Sequence, residues 1–277
     1  MRILKIIGVL LVILIVFISY SFFSAFKDSR KPNYFSENGK MYYKLRVLTK
    51  DLFETREIEG ADPDTFNVVS TDFHGFDIAD ILSKDKNSVY IQESDLSPVI
   101  KIDGADPATI KAMSGVWWLQ DKNHVYLGGK KVLDADPATF SEITNGVLFK
   151  DKKHVYLLGD ILSGVDVASF NSLGGSYYAD TNSIHYCHLT SDPTCVVVKG
   201  ADKNTFTVQK WDQTGNPGLN PDFAFDAQHV FYYENMVEDA DPKTFHKIGS
   251  GYSEIYKDSR HTYGYSPSTR AKLVITD

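Results

Sequence analysis

Catalytic signatures are missing from this chain. It has no Gly-x-Ser-x-Gly, no His-Glu-x-x-His, no phosphate-binding glycine loop and no Cys-x-x-Cys. Only a constellation assembled from distant residues could still make it an enzyme, since triads are defined in space. A basic excess is missing too. Lys and Arg number 29 against 36 Asp and Glu, for a formal charge of −7 and a pI near 5.6. Nucleic acid demands a basic surface to displace counterions, so it is excluded as a partner. No charge block or low-complexity tract stands out. Cysteine is nearly absent, with only Cys187 and Cys195, eight residues apart.

Long apolar runs are confined to the first residues. Ile6 to Phe26 carries no charge over twenty-one positions, roughly the 30 Å of a bilayer core when helical. The expected organisation is a short cytoplasmic start at 1–5, a transmembrane signal-anchor at 6–26, a linker at 27–35 and an extracytoplasmic body at 36–277. A cleaved signal peptide is the alternative, although its apolar part is usually only about 7–15 residues. No cysteine follows the run, which excludes a lipoprotein anchor. Arg2 and Lys5 precede it, and Lys27, Arg30 and Lys31, offset by Asp28, follow it; this slightly favours the body outside. The cysteines agree with that compartment. Ile184 and Tyr186 lead into Cys187, and Val196 to Val198 follow Cys195, placing the pair across the neck of a hairpin. A bridge there closes a short loop, contributing about 2.5 kcal/mol in the chain-entropy model, and disulfides persist outside the cytosol. The expected location is therefore the bacterial cytoplasmic membrane, single-pass, with the bilayer as a partner through residues 6–26.

Two phrases alternate through the body. Asp85-Lys86-Asn87-Ser88-Val89-Tyr90 returns as Asp121 to Tyr126 with Asn123, and as Asp151 to Tyr156. Weaker copies start at Asp180 (with Asn182), Asp226 and Asp258, and Glu37 to Tyr42 is a degenerate first copy. Between them stand Ala-Asp-Pro-x-Thr-Phe and its variants, with Asp at Asp62, Asp106, Asp136, Asp166, Asp202 and Asp241. A unit of about thirty residues cannot bury a core alone and must stack on its neighbours. Within one unit, the first phrase is a turn between two apolar strands. Its Asp bonds nearby backbone, and Asn tolerates a left-handed conformation. The second phrase is a single helical turn with Asp as cap and Pro at the first helical position. Its Phe anchors into the core. The unit predicted is a three-stranded β-meander closed by a capped turn.

Several strands are apolar at consecutive positions, such as Trp117-Trp118 and Phe231-Tyr232, so both faces need cover. The expected fold class is all-β, with repeated three-stranded meanders stacked as a propeller-like ring or a β-solenoid. The alternating phrases resemble the DKNYY family of uncharacterised bacterial repeat proteins over roughly residues 36–265. Ile91, Leu127 and Leu157 replace the second Tyr of the family phrase. The resemblance implies a surface-associated repeat protein and carries no catalytic residues.

The repeated acids have a chemical reading beside the structural one. Asp-x-Asn superficially resembles a calcium loop, but no Gly and terminal Glu complete it, and the phrase runs straight into a strand. His124, His154, His229 and His261 share one register and would form a metal-binding ladder if units stacked in line. Ser88 and Ser183 hold that register elsewhere, so a polar strand start explains it. Trp117, Trp118 and Trp211 could stack a sugar, though paired Trp in an apolar strand belongs to a core. No cofactor, metal site or catalytic residue is expected. The function expected is a membrane-tethered, non-catalytic binding or scaffold module of the envelope, with a protein or an envelope polysaccharide as partner. An envelope hydrolase and a metal-binding repeat are the alternatives.

Overall fold

The structure, a computed structural model, describes residues 34–47, 52–69, 72–73, 76–77, 82–92, 96–113, 117–144, 146–189, 193–209, 223–248, 255–265 and 272–276. The expected span at 6–26, residues 1–5, most of the linker, Trp211 and the insertion from Gln213 to Pro221 lie outside these. Among the described residues all regular structure is β, and no helix is long and apolar enough to cross a membrane. The chain divides into two compact units, Met1–Val132 and Leu133–Asp277.

The first unit opens with a three-stranded sheet, Tyr34–Glu37, Lys40–Val47 and Leu52–Glu57. Asn38 and Gly39, at φ 50° and 76°, turn its first hairpin. Two four-stranded sheets follow: Asn67–Val69, Leu82–Lys84, Val89–Gln92 and Val99–Lys101, then Lys111–Ala112, Trp118–Gln120, Val125–Leu127 and Lys130–Lys131. The insertion between Thr71 and Ala79 adds a small hairpin, Asp72–Phe73 with Phe76–Asp77.

The second unit holds four four-stranded sheets. Ser141–Thr144, Leu148–Lys150, Val155–Leu157 and Asp160–Leu162 form one, and Asn171–Gly174, Tyr177–Ala179, Ile184–His188 and Thr194–Val197 the next. Thr207–Val208, Phe223–Phe225, Val230–Tyr232 and Asn235–Met236 make the third, and His246–Lys247, Tyr256–Lys257, Thr262–Tyr265 and Leu273–Ile275 the fourth. Every pairing is antiparallel between neighbours in the sheet order.

The repeat therefore builds four strands, not the three predicted. The extra strand is the run just after the anchoring Phe, such as Ser141–Thr144, which pairs with Leu148–Lys150. Ser141 and Glu142 are exposed and only Ile143 is apolar, so apolar periodicity gives little sign of it. Backbone pairing and one inward side chain, Ile143 here, hold it in place.

Consecutive apolar residues do serve two faces. Phe231 packs with Tyr177, Tyr186 and Ala224, while its neighbour Tyr232 packs with Phe223, Tyr256 and Tyr263. Likewise Tyr177 and Tyr178 enter different clusters. Within the second unit, then, each inner sheet is covered on both sides. The anchoring phenylalanines complete the layers. Phe140 lies on Phe149 with ring centroids 5.1 Å apart, Phe170 on Tyr178 at 5.6 Å, and Phe245 on Tyr256 at 5.8 Å.

The left-handed position of the repeat is not where the turn chemistry placed it. Asn87, Asn123 and Asn182 are absent from the positive-φ residues. Instead the residue two before each capping Asp is left-handed: Gly60, Gly104, Asp134, Gly164, Gly200 and Asp239, with φ between 54° and 81°. Gly fills four of these six sites because it has no Cβ to clash there. Asp134→Gly should therefore stabilise the protein by about 0.5–1 kcal/mol, read as a higher urea midpoint. A lower midpoint would show that the Asp134 side chain outweighs its backbone strain.

Candidate functional site

The two sequence phrases meet in space and form one joint, repeated six times. In each, the first Asp of the hairpin phrase is buried: Asp85, Asp121, Asp151, Asp180, Asp226 and Asp258 are all 5% exposed or less. Asp121 shows the arrangement. Its Oδ1 accepts the backbone N–H groups of Asn123 and His124, both at 2.7 Å. Its Oδ2 accepts the Tyr126 hydroxyl at 3.0 Å and the backbone N–H of Asp106 at 2.8 Å. One carboxylate thus closes its own turn, holds a core tyrosine and grips the capped turn. Equivalent bonds reach Asp62 from Asp85, Asp136 from Asp151, Asp166 from Asp180, Asp202 from Asp226 and Asp241 from Asp258, at 2.8 to 2.9 Å.

The capping phrase reciprocates. Asp106 Oδ1 accepts Ala108 N–H, and Thr109 donates its hydroxyl to Asp106 Oδ2. Thr109 also accepts the N–H of Lys122, and the Lys122 ammonium lies 2.9 Å from Asp106. Lys152 pairs with Asp136 at 2.7 Å, and Lys86 pairs with Asp62. The capped segment is one isolated turn, closed by Ile110 N–H on the Asp106 carbonyl.

Asn87, Asn123 and Asn182 contribute backbone N–H groups to the joint, which is why Lys153 can stand in the same place. The sixth position of the phrase carries more weight than the spacing suggests. Tyr90, Tyr126, Tyr156 and Tyr263 all donate hydroxyls to their buried Asp. Two joints depart from this. His185 takes the place of Tyr and sets Nε2 3.2 Å from Asp180 Oδ2. Phe231 has no hydroxyl, and His229 Nδ1 lies 3.1 Å from both oxygens of Asp226 instead. The signal was in the sequence: Tyr recurs five residues after Asp, and a histidine appears wherever Tyr is missing.

Electrostatics follow the donor count. Burial opposes ionisation of Asp121, but the N–H groups of Asp106, Asn123 and His124 with the Tyr126 hydroxyl outweigh it and lower its pKa. The same balance lowers Asp85, Asp151, Asp180 and Asp226 and brings Asp258 to about 2. Burial, then the adjacent carboxylate, pushes Tyr126, Tyr156 and Tyr263 well above the usual phenol range. Such acids are acceptors in use. They are poor proton donors or metal ligands.

His124 and His154 lie beside their own Tyr126 and Tyr156 hydroxyls at 3.3 Å. Among the described residues no group of three His, Cys, Asp or Glu side chains could hold a metal ion. Trp118 is buried, and Trp117 packs against the core cluster that holds Leu119 and Tyr126. Cys187 and Cys195 are register partners at the neck of the hairpin Ile184–His188 and Thr194–Val197, and a disulfide joins them. A hollow of about 360 Å³ in the first unit is lined by Thr65, Asn67, Lys84, Asp85, Lys86, Pro107 and Ala108. Its lysines are engaged, Lys84 by the Pro107 carbonyl and Lys86 by Asp62.

The family model described as DKNYY family matches residues 83–214. This stretch is similar to the DKNYY family. The joints at Asp226 and Asp258 lie beyond the matched range, and their carboxylates accept the same set of backbone N–H groups. No curated protein and no solved structure matches.

Proposed function

We propose that this protein is a membrane-tethered, extracytoplasmic module of the bacterial envelope that binds a partner without turning it over. The observation that carries the non-catalytic part is the fate of the repeated acids. All six are consumed as internal acceptors, with pKa values moved away from the range of general acid–base work. The uncharged run from Ile6 to Phe26 supports tethering. The Cys187–Cys195 bridge supports an oxidising compartment. Two-sided cover of the inner sheets of the second unit supports stacking of successive repeats there.

Expressed whole in a bacterial host, the protein should sediment with membranes and be released by detergent but not by high salt. Protease added outside spheroplasts should digest the body, and Cys187 and Cys195 should resist alkylation until reduced. Recovery of intact, freely alkylated protein from the cytosol would overturn both the tether and the compartment.

A further inference from the structure

The disulfide sits where the repeat loses a turn. In three sibling sheets only two residues separate the third strand from the outermost one. These are Gly128 and Gly129 between Leu127 and Lys130, Leu158 and Gly159 between Leu157 and Asp160, and Tyr233 and Glu234 between Tyr232 and Asn235. All but Glu234 are left-handed, and a two-residue turn of that kind fixes the hairpin register by itself. In the sheet of Ile184–His188, residues 189–193 lie between His188 and its register partner Thr194. A longer loop specifies register less and costs more entropy to close. Cys187 and Cys195 are the next register pair inward, and they are bridged. The bridge stands in for the missing turn.

The outermost strand, Thr194–Val197, is the edge of its sheet, next to Ile184–His188 in the strand order. It buries little. Thr194 and Val197 are exposed, Val197 at 47%, and Val196 is half-buried. The chain is fixed again at Val198, which is buried and donates its N–H to the Ile184 carbonyl at 2.9 Å. The third strand is held from elsewhere. It pairs with Tyr177–Ala179 on its other side, Tyr186 packs 5.3 Å from Tyr233, and His188 lies 3.0 Å from Glu234 of the following sheet. The two sulfurs are unequally placed. Cys187 is buried in the layer with Leu148, Leu157 and Tyr178, whereas Cys195 lies at its margin, half-buried.

We propose that the Cys187–Cys195 bridge is a redox latch on this hairpin. A dithiol reductant attacks through its thiolate at Cys195 Sγ, the more open sulfur, and forms a mixed disulfide there as the Cys187–Cys195 bond breaks. The electron pair leaves on Cys187, which takes up a proton. The second thiol of the reductant then displaces Cys195 in the same way. The reductant ends as a disulfide, and both cysteines end as thiols. With the bridge gone, residues 189–197 peel from the third strand as far as Val198. The backbone groups on that side of Ile184–His188 are then open to pairing with another strand. The latch does not depend on the tether.

Hydrogen exchange, read peptide by peptide on the full chain in detergent before and after dithiothreitol, tests the latch. Exchange over residues 189–197 should quicken by about tenfold or more on reduction, while residues 148–157 of the preceding sheet keep their protection. The double variant Cys187→Ala, Cys195→Ala should behave without reductant as the reduced parent does, which separates the bridge from any other effect of the reagent. Unchanged exchange over 189–197 in the reduced protein overturns the latch. So does a bridge that dithiothreitol leaves closed until the protein unfolds. Loss of protection across the whole second unit overturns it too, because the bridge would then be a staple of the fold. Each of these results leaves the tethered module standing, since sedimentation and protease access test that separately.

Discussion

Asp151→Ala should destabilise the protein by about 3–5 kcal/mol, several times the effect of an ordinary surface change. The carboxylate receives four donors: Lys153 N and His154 N at 2.7 Å, Asp136 N at 2.9 Å and the Tyr156 hydroxyl at 2.9 Å. Tyr156 is fully buried, so its hydroxyl loses its carboxylate acceptor and is left with His154 Nδ1 at 3.3 Å. The capped turn at Asp136 also loses its grip on the sheet, which loosens the packing of Phe140 on Phe149. Tyr156→Phe removes one bond from the same centre and should cost only about 1–2 kcal/mol. Urea denaturation of both variants against the parent reads these values. Equal midpoints for Asp151→Ala and the parent would mean that the joint contributes nothing to stability.

The hairpin phrase and the capping phrase were both visible in the sequence, and so was the all-β class. Their union was not. Asp121 and Asp106 are fifteen residues apart, and nothing in either phrase announces that a backbone N–H of one meets a carboxylate of the other. The pairing is a tertiary fact, set by sheets folding back on the turn that precedes them. The first strand of each four-stranded sheet was hidden for a different reason: Lys111–Ala112 and Thr207–Val208 are two-residue pairings with one apolar residue each, too short to show a period. Left-handed glycines at Gly60, Gly104, Gly164 and Gly200 could have been found, since all stand two residues before an Asp. The Asn of the neighbouring phrase tolerates the same conformation and so offers a competing site. The cluster at His188 and Glu234 was the hardest to see, because its residues lie in the third strand of one sheet and the following sheet's turn, forty-six positions apart in the chain.

Acid should unfold this protein sharply between about pH 4 and pH 2. All six buried aspartates have folded pKa values below the ordinary 3.8, and Asp258 reaches about 2. A depressed folded pKa means that the unfolded chain takes up protons first as pH falls. The stability tied to each carboxylate is therefore complete above its unfolded value and lost on the way down to the folded one. For Asp258 alone that is on the order of 2 kcal/mol, and the other five add losses in the same direction over the same window. The tyrosines set the opposite limit. Tyr90, raised to about 12 first by burial, favours the fold below the usual phenol pKa of 10 and gives that up as pH climbs past it toward 12. Stability should thus be level between about pH 5 and pH 9 and fall on both sides, more steeply on the acid side where six carboxylates act together. Urea midpoints at intervals from about pH 2.5 to about pH 12 trace this profile, and Asp258→Asn should start lower at pH 7 and lose less on acidification. A midpoint unchanged from pH 7 down to pH 2.5 would mean that these carboxylates are not held as anions in the fold, and the joint would need another account.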